Sequence, residues 1–147
     1  VANYLTKATL IALLALVNDT GLLPATAELD SLGSKDPSAS LQQLDGSRMI
    51  ESYVDGSGVA ESPFAVLVRS KPKDSAGRAT ISGALMDLAE TVEAMTRLGQ
   101  LPEGWRKLEG LSTPTLTERD ANGSEVWRAS FVLESARSAP ALLSEES

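Results

Sequence analysis

The chain contains no cysteine and no histidine. The first absence excludes disulfides and thiolate metal sites. The second removes the commonest general base, the commonest metal ligand and the usual partner of a serine or cysteine nucleophile. Aromatic residues are also scarce, 4% against 42% hydrophobic residues overall, so the core is expected to be mostly aliphatic. Long hydrophobic runs are missing too. The best candidate, Leu10 to Val17, covers about two helical turns, whereas a bilayer needs about twenty residues. No basic region or convincing cleavage site accompanies it, so neither a membrane span nor a signal peptide is expected. Val1 in first position suggests a removed initiator Met, and the expected compartment is the cytosol or a particle assembled there. Positive charge is in deficit: 13 Lys and Arg against 20 Asp and Glu give a net charge of −7. A protein that grips phosphates needs clustered basic residues, and here they are scattered. Tight nucleic-acid binding is therefore not expected, although such a surface can lie beside DNA without trapping it.

What is present fits one domain of ordinary size. The spacing predicts a first helix over about Asn3 to Val17, with a broad apolar face that implies burial on more than one side. Asn18-Asp19-Thr20-Gly21 reads as its stop. Gly21 to Gly46 is rich in Ser, Asp, Gly and Pro and shows no firm periodicity. It is expected to be a long loop: a floppy connection, or an arm ordered by a neighbouring subunit. Two strands follow, Arg48 to Val54 and Pro63 to Ser70, separated by a tip at Asp55-Gly56-Ser57-Gly58. Both faces of the second are apolar, as expected of a central strand covered on two sides. Pro63 is expected at its start. A second helix over about Asp74 to Leu98 carries the stripe Ile81, Leu85, Leu88, Val92 and Met95, a core seam, and ends at Gly99. A hairpin closes the pattern, with Gly110 to Arg119 paired to Glu125 to Ser135 across Asp120-Ala121-Asn122-Gly123. Asn-Gly favours such a turn because both residues tolerate positive φ. The expected fold is α+β in the order α-β-β-α-β-β, a mostly antiparallel four-stranded sheet packed with two helices over residues 1–135. Residues 19–46 form its long loop or arm, and residues 136–147 form a polar, flexible C-terminal tail.

No constellation supports catalysis, so no catalytic, cofactor-binding or metal site is expected. Asp120-Ala121-Asn122-Gly123 echoes part of a calcium loop but lacks the downstream bidentate Glu. Gly56-Ser57-Gly58 is not followed by the Lys-Ser or Lys-Thr of a phosphate loop. Asp55 and Glu61 read as solvated loop carboxylates rather than an acid/base pair. Ser70 with Lys71 and Lys73 matches no nucleophile motif. The basic corner Arg69-Ser70-Lys71-Pro72-Lys73 is a solvated turn or a surface that meets an acidic patch on a neighbouring subunit.

Three segments together resemble phage minor capsid proteins of the tail-terminator type. They are Tyr53-Val54-Asp55-Gly56-Ser57 with Phe64-Ala65-Val66-Leu67-Val68-Arg69-Ser70, the long helix that follows, and Ser112-Thr113-Pro114-Thr115-Leu116 with Asp120-Ala121-Asn122-Gly123 and Trp127-Arg128-Ala129-Ser130-Phe131-Val132-Leu133. Each piece alone is strand-and-turn chemistry; their order and spacing carry the similarity, over about residues 48–135. The Gly21 to Gly46 segment departs from the pattern. The resemblance implies a non-enzymatic subunit of a virion neck or tail, assembled in the host cytoplasm. It forms a homo-hexameric ring on the tail tube protein, meets a head-side connector or stopper protein, and passes DNA through its lumen without specific binding. A cyclic ring needs complementary heterologous surfaces. The candidate assembly residues are Tyr53, Asp55, Arg69, Lys71, Arg119, Asp120 and Arg128. The rival readings are another head-tail connector or minor capsid component and, in a different class, a small carboxylate-dependent enzyme or binding module.

Overall fold

Two thirteen-residue strands, β4 (Gly58–Ser70) and β7 (Glu125–Arg137), pair antiparallel along their whole length and form the spine of the molecule. The computed structural model describes residues 5–33 and 35–137. Around the spine lie α1 (Lys7–Asp19), β1 (Ala27–Leu29), β2 (Ser38–Gln43), β3 (Arg48–Ser52), α2 (Ser75–Arg97), β5 (Trp105–Gly110) and β6 (Thr115–Arg119). The expected tail from residue 138 onward lies outside the described residues, and β7 extends two residues into the stretch assigned to it.

The α+β class holds, but the expected four-stranded sheet does not. Among the described residues the sheet has seven strands and is mixed, in the order β1-β2-β4-β7-β5, with β3 on β4 and β6 on β7. β2 and β3 lie end to end along the outer side of β4, and β5 and β6 do the same along β7. Two of the added strands come from the expected loop: β1 pairs parallel with β2, Ala27 opposite Ala39. Asn18 at the end of α1 fixes β1, since its Oδ1 accepts from the Ala27 N–H at 2.8 Å and its Nδ2 donates to the Ala27 carbonyl at 3.2 Å. The expected strand from Gly110 to Arg119 is confined to β6, with no strand at Leu111–Pro114, and β5, which ends at Gly110, was not expected.

Pro63 sits in mid-strand, not at the start. Its carbonyl accepts from Leu44 N–H, so its ring nitrogen also faces the β2/β3 side. There it falls at the junction between the two flanking strands, and the missing N–H costs no ladder bond to β7.

Both helices cover one face of the sheet. Phe64, Val66 and Val68 of β4 and Ala129, Phe131 and Leu133 of β7 point into a core shared with Leu13 and Val17 of α1 and Ile81, Leu85, Leu88 and Val92 of α2. Each fully buried Leu or Phe contributes about 1.5–3 kcal/mol. Phe64 and Phe131 are directly opposed and stacked, with ring centroids 5.4 Å apart. Helix α1 starts at Thr6, whose Oγ1 accepts from Thr9 N–H, and α2 at Asp74, whose carboxylate accepts from Gly77 N–H at 3.0 Å.

The alternate side chains of β4 and β7 form the second face, on which neither helix lies. This corrects the expectation that β4 is covered on both sides. The β6–β7 turn is also not the expected pair of positive-φ residues. Gly123 N–H bonds to the Asp120 carbonyl, and Gly123 has a φ of 91° while Asn122 does not enter that region. The loop is a four-residue turn closed by a left-handed glycine.

Candidate functional site

The open face is built from opposed pairs: Val59 with Ala136, Glu61 with Glu134, Pro63 with Val132, Ala65 with Ser130, Leu67 with Arg128 and Arg69 with Val126. Val59, Ala65, Val126 and Val132 are buried although no helix covers them. Larger polar neighbours on the same face shield them. Arg48 pairs with Glu61, and Lys107 lies between Glu109 and Glu134, whose hydrogen bonds raise the lysine pKa. The face is therefore a mixed surface of apolar floor and charged rim.

Arg128 stands on this face one pair in from Arg69 and Val126, and its Nε is fully buried with no hydrogen-bond partner among the described residues. Most buried donors are paired, and an unpaired one costs about 1–3 kcal/mol.

Four more of the expected residues meet at one end of the sheet. Arg69 donates from Nε to the Gly33 carbonyl at 2.9 Å and reaches Asp120 at 3.8 Å. Asp120 accepts from Ser124 N–H, and the Ser124 hydroxyl donates to Asp36 at 2.6 Å. Lys71 packs its stem beside Gly123. Arg119 donates to Glu125 at 2.8 Å. These contacts tie Gly33 to β4 and Asp36 to the β6–β7 turn of their own chain.

Tyr53 and Asp55 lie at the opposite end, about 40 Å away along a strand of this length. The two ends therefore cannot form one site within a subunit. Tyr53 donates from its hydroxyl to Glu51 at 3.1 Å, and Glu51 also accepts from Arg106 of β5. Arg106 and then Tyr53 hold the Glu51 carboxyl below the usual range. Asp55 is lowered likewise by the Ser57 hydroxyl and N–H. Between them Val54 is fully exposed at the hairpin tip.

Glu125 was missed. It is 1% exposed and sits on the helix-covered face, beyond Trp127. Burial pushes its pKa up, but hydrogen bonds from Arg78, Trp127 and Arg119 outweigh this and hold it below the usual carboxylate range. The signal was its spacing: Glu125, Trp127, Ala129, Phe131 and Leu133 alternate onto one face, so a carboxylate heads a core row.

No protein-family model matches this chain, and no curated protein matches it. The functional reading therefore stands on the residues and their geometry. Among the described residues no group of three or more acidic side chains is placed to hold a metal ion. No described helix is long and apolar enough to cross a membrane.

Proposed function

We propose that this chain is a structural virion protein of a tailed phage, which assembles with copies of itself into a ring that caps the tail tube and joins the tail to the head. The observation that carries the reading is the open face of the sheet, where a buried, unpaired Arg128 donor stands among apolar residues and a rim of charges. Such a face is incomplete as a free surface. An acceptor from a neighbouring subunit would satisfy Arg128, and the rim charges would set register more than affinity.

The segments behind the tail-terminator resemblance fall on the β3–β4 hairpin, on α2 and on the β6–β7 hairpin. They thus include both spine strands, the helix behind them and the loops at both ends. Two dissimilar ends about 40 Å apart suit a subunit with different partners on its two sides: the tube protein at one and a head-side connector at the other. The net charge of −7 suits a lumen through which DNA passes without being held.

The test is deletion of the gene in its phage, followed by imaging of the particles. Tails of uncontrolled length with detached heads are expected. Normal tails correctly joined to heads overturn the reading. Normal-length tails that fail to attach would point instead to another head-tail connector component.

A further inference from the structure

A cleft of about 550 Å³ lies where β4 hands over to α2. Its floor is apolar, formed by Leu22, Pro24, Ile81 and Ala84, and Lys71 and Lys73 stand on its rim. Neither lysine has an ion pair among the described residues. Asp74, also at the rim, is already engaged as the cap of α2. The cleft thus offers an apolar slot beside two uncommitted positive charges, which fits a short segment carrying apolar residues followed by acidic ones.

Beyond β7 the chain itself contains such a sequence: Ala141-Leu142-Leu143-Ser144-Glu145-Glu146. Its order, two leucines and then two glutamates, matches an apolar floor with a basic rim. We infer that this segment of one subunit occupies the β4–α2 cleft of a second copy of the chain. The leucines enter the slot and the glutamates face Lys71 and Lys73.

Reach decides between its own cleft and a neighbour's. Arg137 is opposite Gly58, whereas the cleft begins at Ser70, opposite Glu125. Those ends are about 40 Å apart. Helix α2 runs back from the cleft, and Thr96 near its far end bonds Leu108 of β5. Ala84, the cleft residue farthest along α2, is thereby about 14 Å nearer to Arg137 than the start of α2 is, which leaves about 26 Å. Leu142 and Leu143 extend at most about 22 Å past Arg137. The segment therefore serves the next subunit. The contact is heterologous, one end of a subunit gripping the other end of its neighbour, the kind that closes rings. It rests on the self-assembly part of the proposed function and names the contact that would carry it.

The absence of cysteine gives a clean test. Full-length Leu142→Cys and Ala84→Cys variants, distinguishable by mass and each checked for folding by circular dichroism, are mixed and mildly oxidised. A mixed disulfide is expected at a yield well above that of Leu142→Cys with Ser112→Cys, a control site away from the cleft. The Lys71→Glu/Lys73→Glu exchange on the Ala84→Cys chain should lower the yield about fivefold, and Glu145→Lys/Glu146→Lys on the other chain should restore it. A yield no higher than the control overturns the inference. So does an intramolecular disulfide in dilute Leu142→Cys/Ala84→Cys protein, which would place the segment in its own cleft. If the thiol of the Ala84→Cys variant is protected in particles but never joined to residue 142, the inference also falls, because another virion protein then fills the cleft. Cross-linking together with normal tails in the deletion phage would remove the terminator reading and leave this contact. Aberrant tails without cross-linking would do the reverse.

Discussion

Arg78, in the first turn of α2, donates from Nε to both carboxylate oxygens of Glu125 at the start of β7, at 3.2 and 3.1 Å. This pair ties the helix to the last strand where the sheet is otherwise held by the turn. Arg119 and Trp127 bind the same carboxylate. Arg78→Ala should therefore lower unfolding free energy by about 2 kcal/mol, less than a wholly orphaned buried charge would cost, because two donors remain. Urea titration of the two proteins at neutral pH checks this.

The same carboxylate has a pH signature. Its folded pKa lies below the ordinary value of 4.5. The stabilisation is therefore fully present above that value and is lost as pH falls through the depressed folded pKa. Wild type should lose stability between about pH 4.5 and the lower folded value, while Glu125→Gln, weaker at neutral pH, should show a flatter profile there. Denaturation midpoints measured from pH 7 down to about pH 3 test the difference.

Leu41 is 0% exposed in β2, inside the stretch that composition marks as a loop. Leu41→Ala should cost about 2–5 kcal/mol, the range for a buried leucine. Hydrogen exchange offers a second check, with the amides of residues 39–43 protected as strongly as those of β4. Exchange at loop rates would refute the seven-stranded sheet.

Two glycines should respond in opposite ways to alanine. A Cβ on Gly58 would lie 2.0 Å from the Glu51 carbonyl oxygen and 2.6 Å from the Met49 methyl. A backbone atom cannot yield as a side chain can, so Gly58→Ala should cost about 2 kcal/mol or more and loosen the β3–β4 hairpin. Gly83 is in the middle of α2 with nothing near its Cβ position, and Gly83→Ala should gain about 1 kcal/mol. Thermal midpoints of the two variants give the signs.

Arg128 separates stability from assembly. Arg128→Met keeps the stem and removes the orphaned donor. The isolated subunit should be as stable as wild type or more so, whereas particle assembly in a complementation assay should fail. A variant that assembles normally would remove this face from the interface.

The parts of the fold legible in the sequence are those where period and burial agree. Of the α2 stripe, Ile81, Leu85, Leu88 and Val92 are buried as spaced and Met95 is half-buried, and Trp127, Ala129, Phe131 and Leu133 share one face of β7. β2 was not legible because Ser38-Ala39-Ser40-Leu41-Gln42-Gln43 uses small and polar residues with little strand preference, and Ser40 is buried by its position beside β4 rather than by its own chemistry. β5 was hidden by Pro102 and Gly104 just before it and by the shift in register between Trp105 and Lys107. Pro63 looked like a strand start because a single sequence does not show that two partner strands would meet opposite it.

The seven assembly candidates divide on similar grounds. Charged residues beside turns lie at the sheet ends, and Arg69, Lys71, Arg119 and Asp120 gather at one of them. That Tyr53 and Asp55 lie at the far end follows from strand length and register, which the sequence expresses weakly. Arg128 lies on the second face, and the burial of its Nε depends on neighbours drawn from other strands.

The spine has a kinetic consequence. Every pair in the β4–β7 ladder joins residues separated in sequence by the whole of α2, β5 and β6. Closing so large a loop is entropically costly, and nothing repays it until several pairs have formed. The β3–β4 and β6–β7 hairpins can form early, each on its own, but the core row of Phe64 and Phe131 cannot. Until that ladder closes, a formed hairpin leaves the long inner edge of β4 or β7 bare. At high chain concentration, those edges are available to other chains before they find each other.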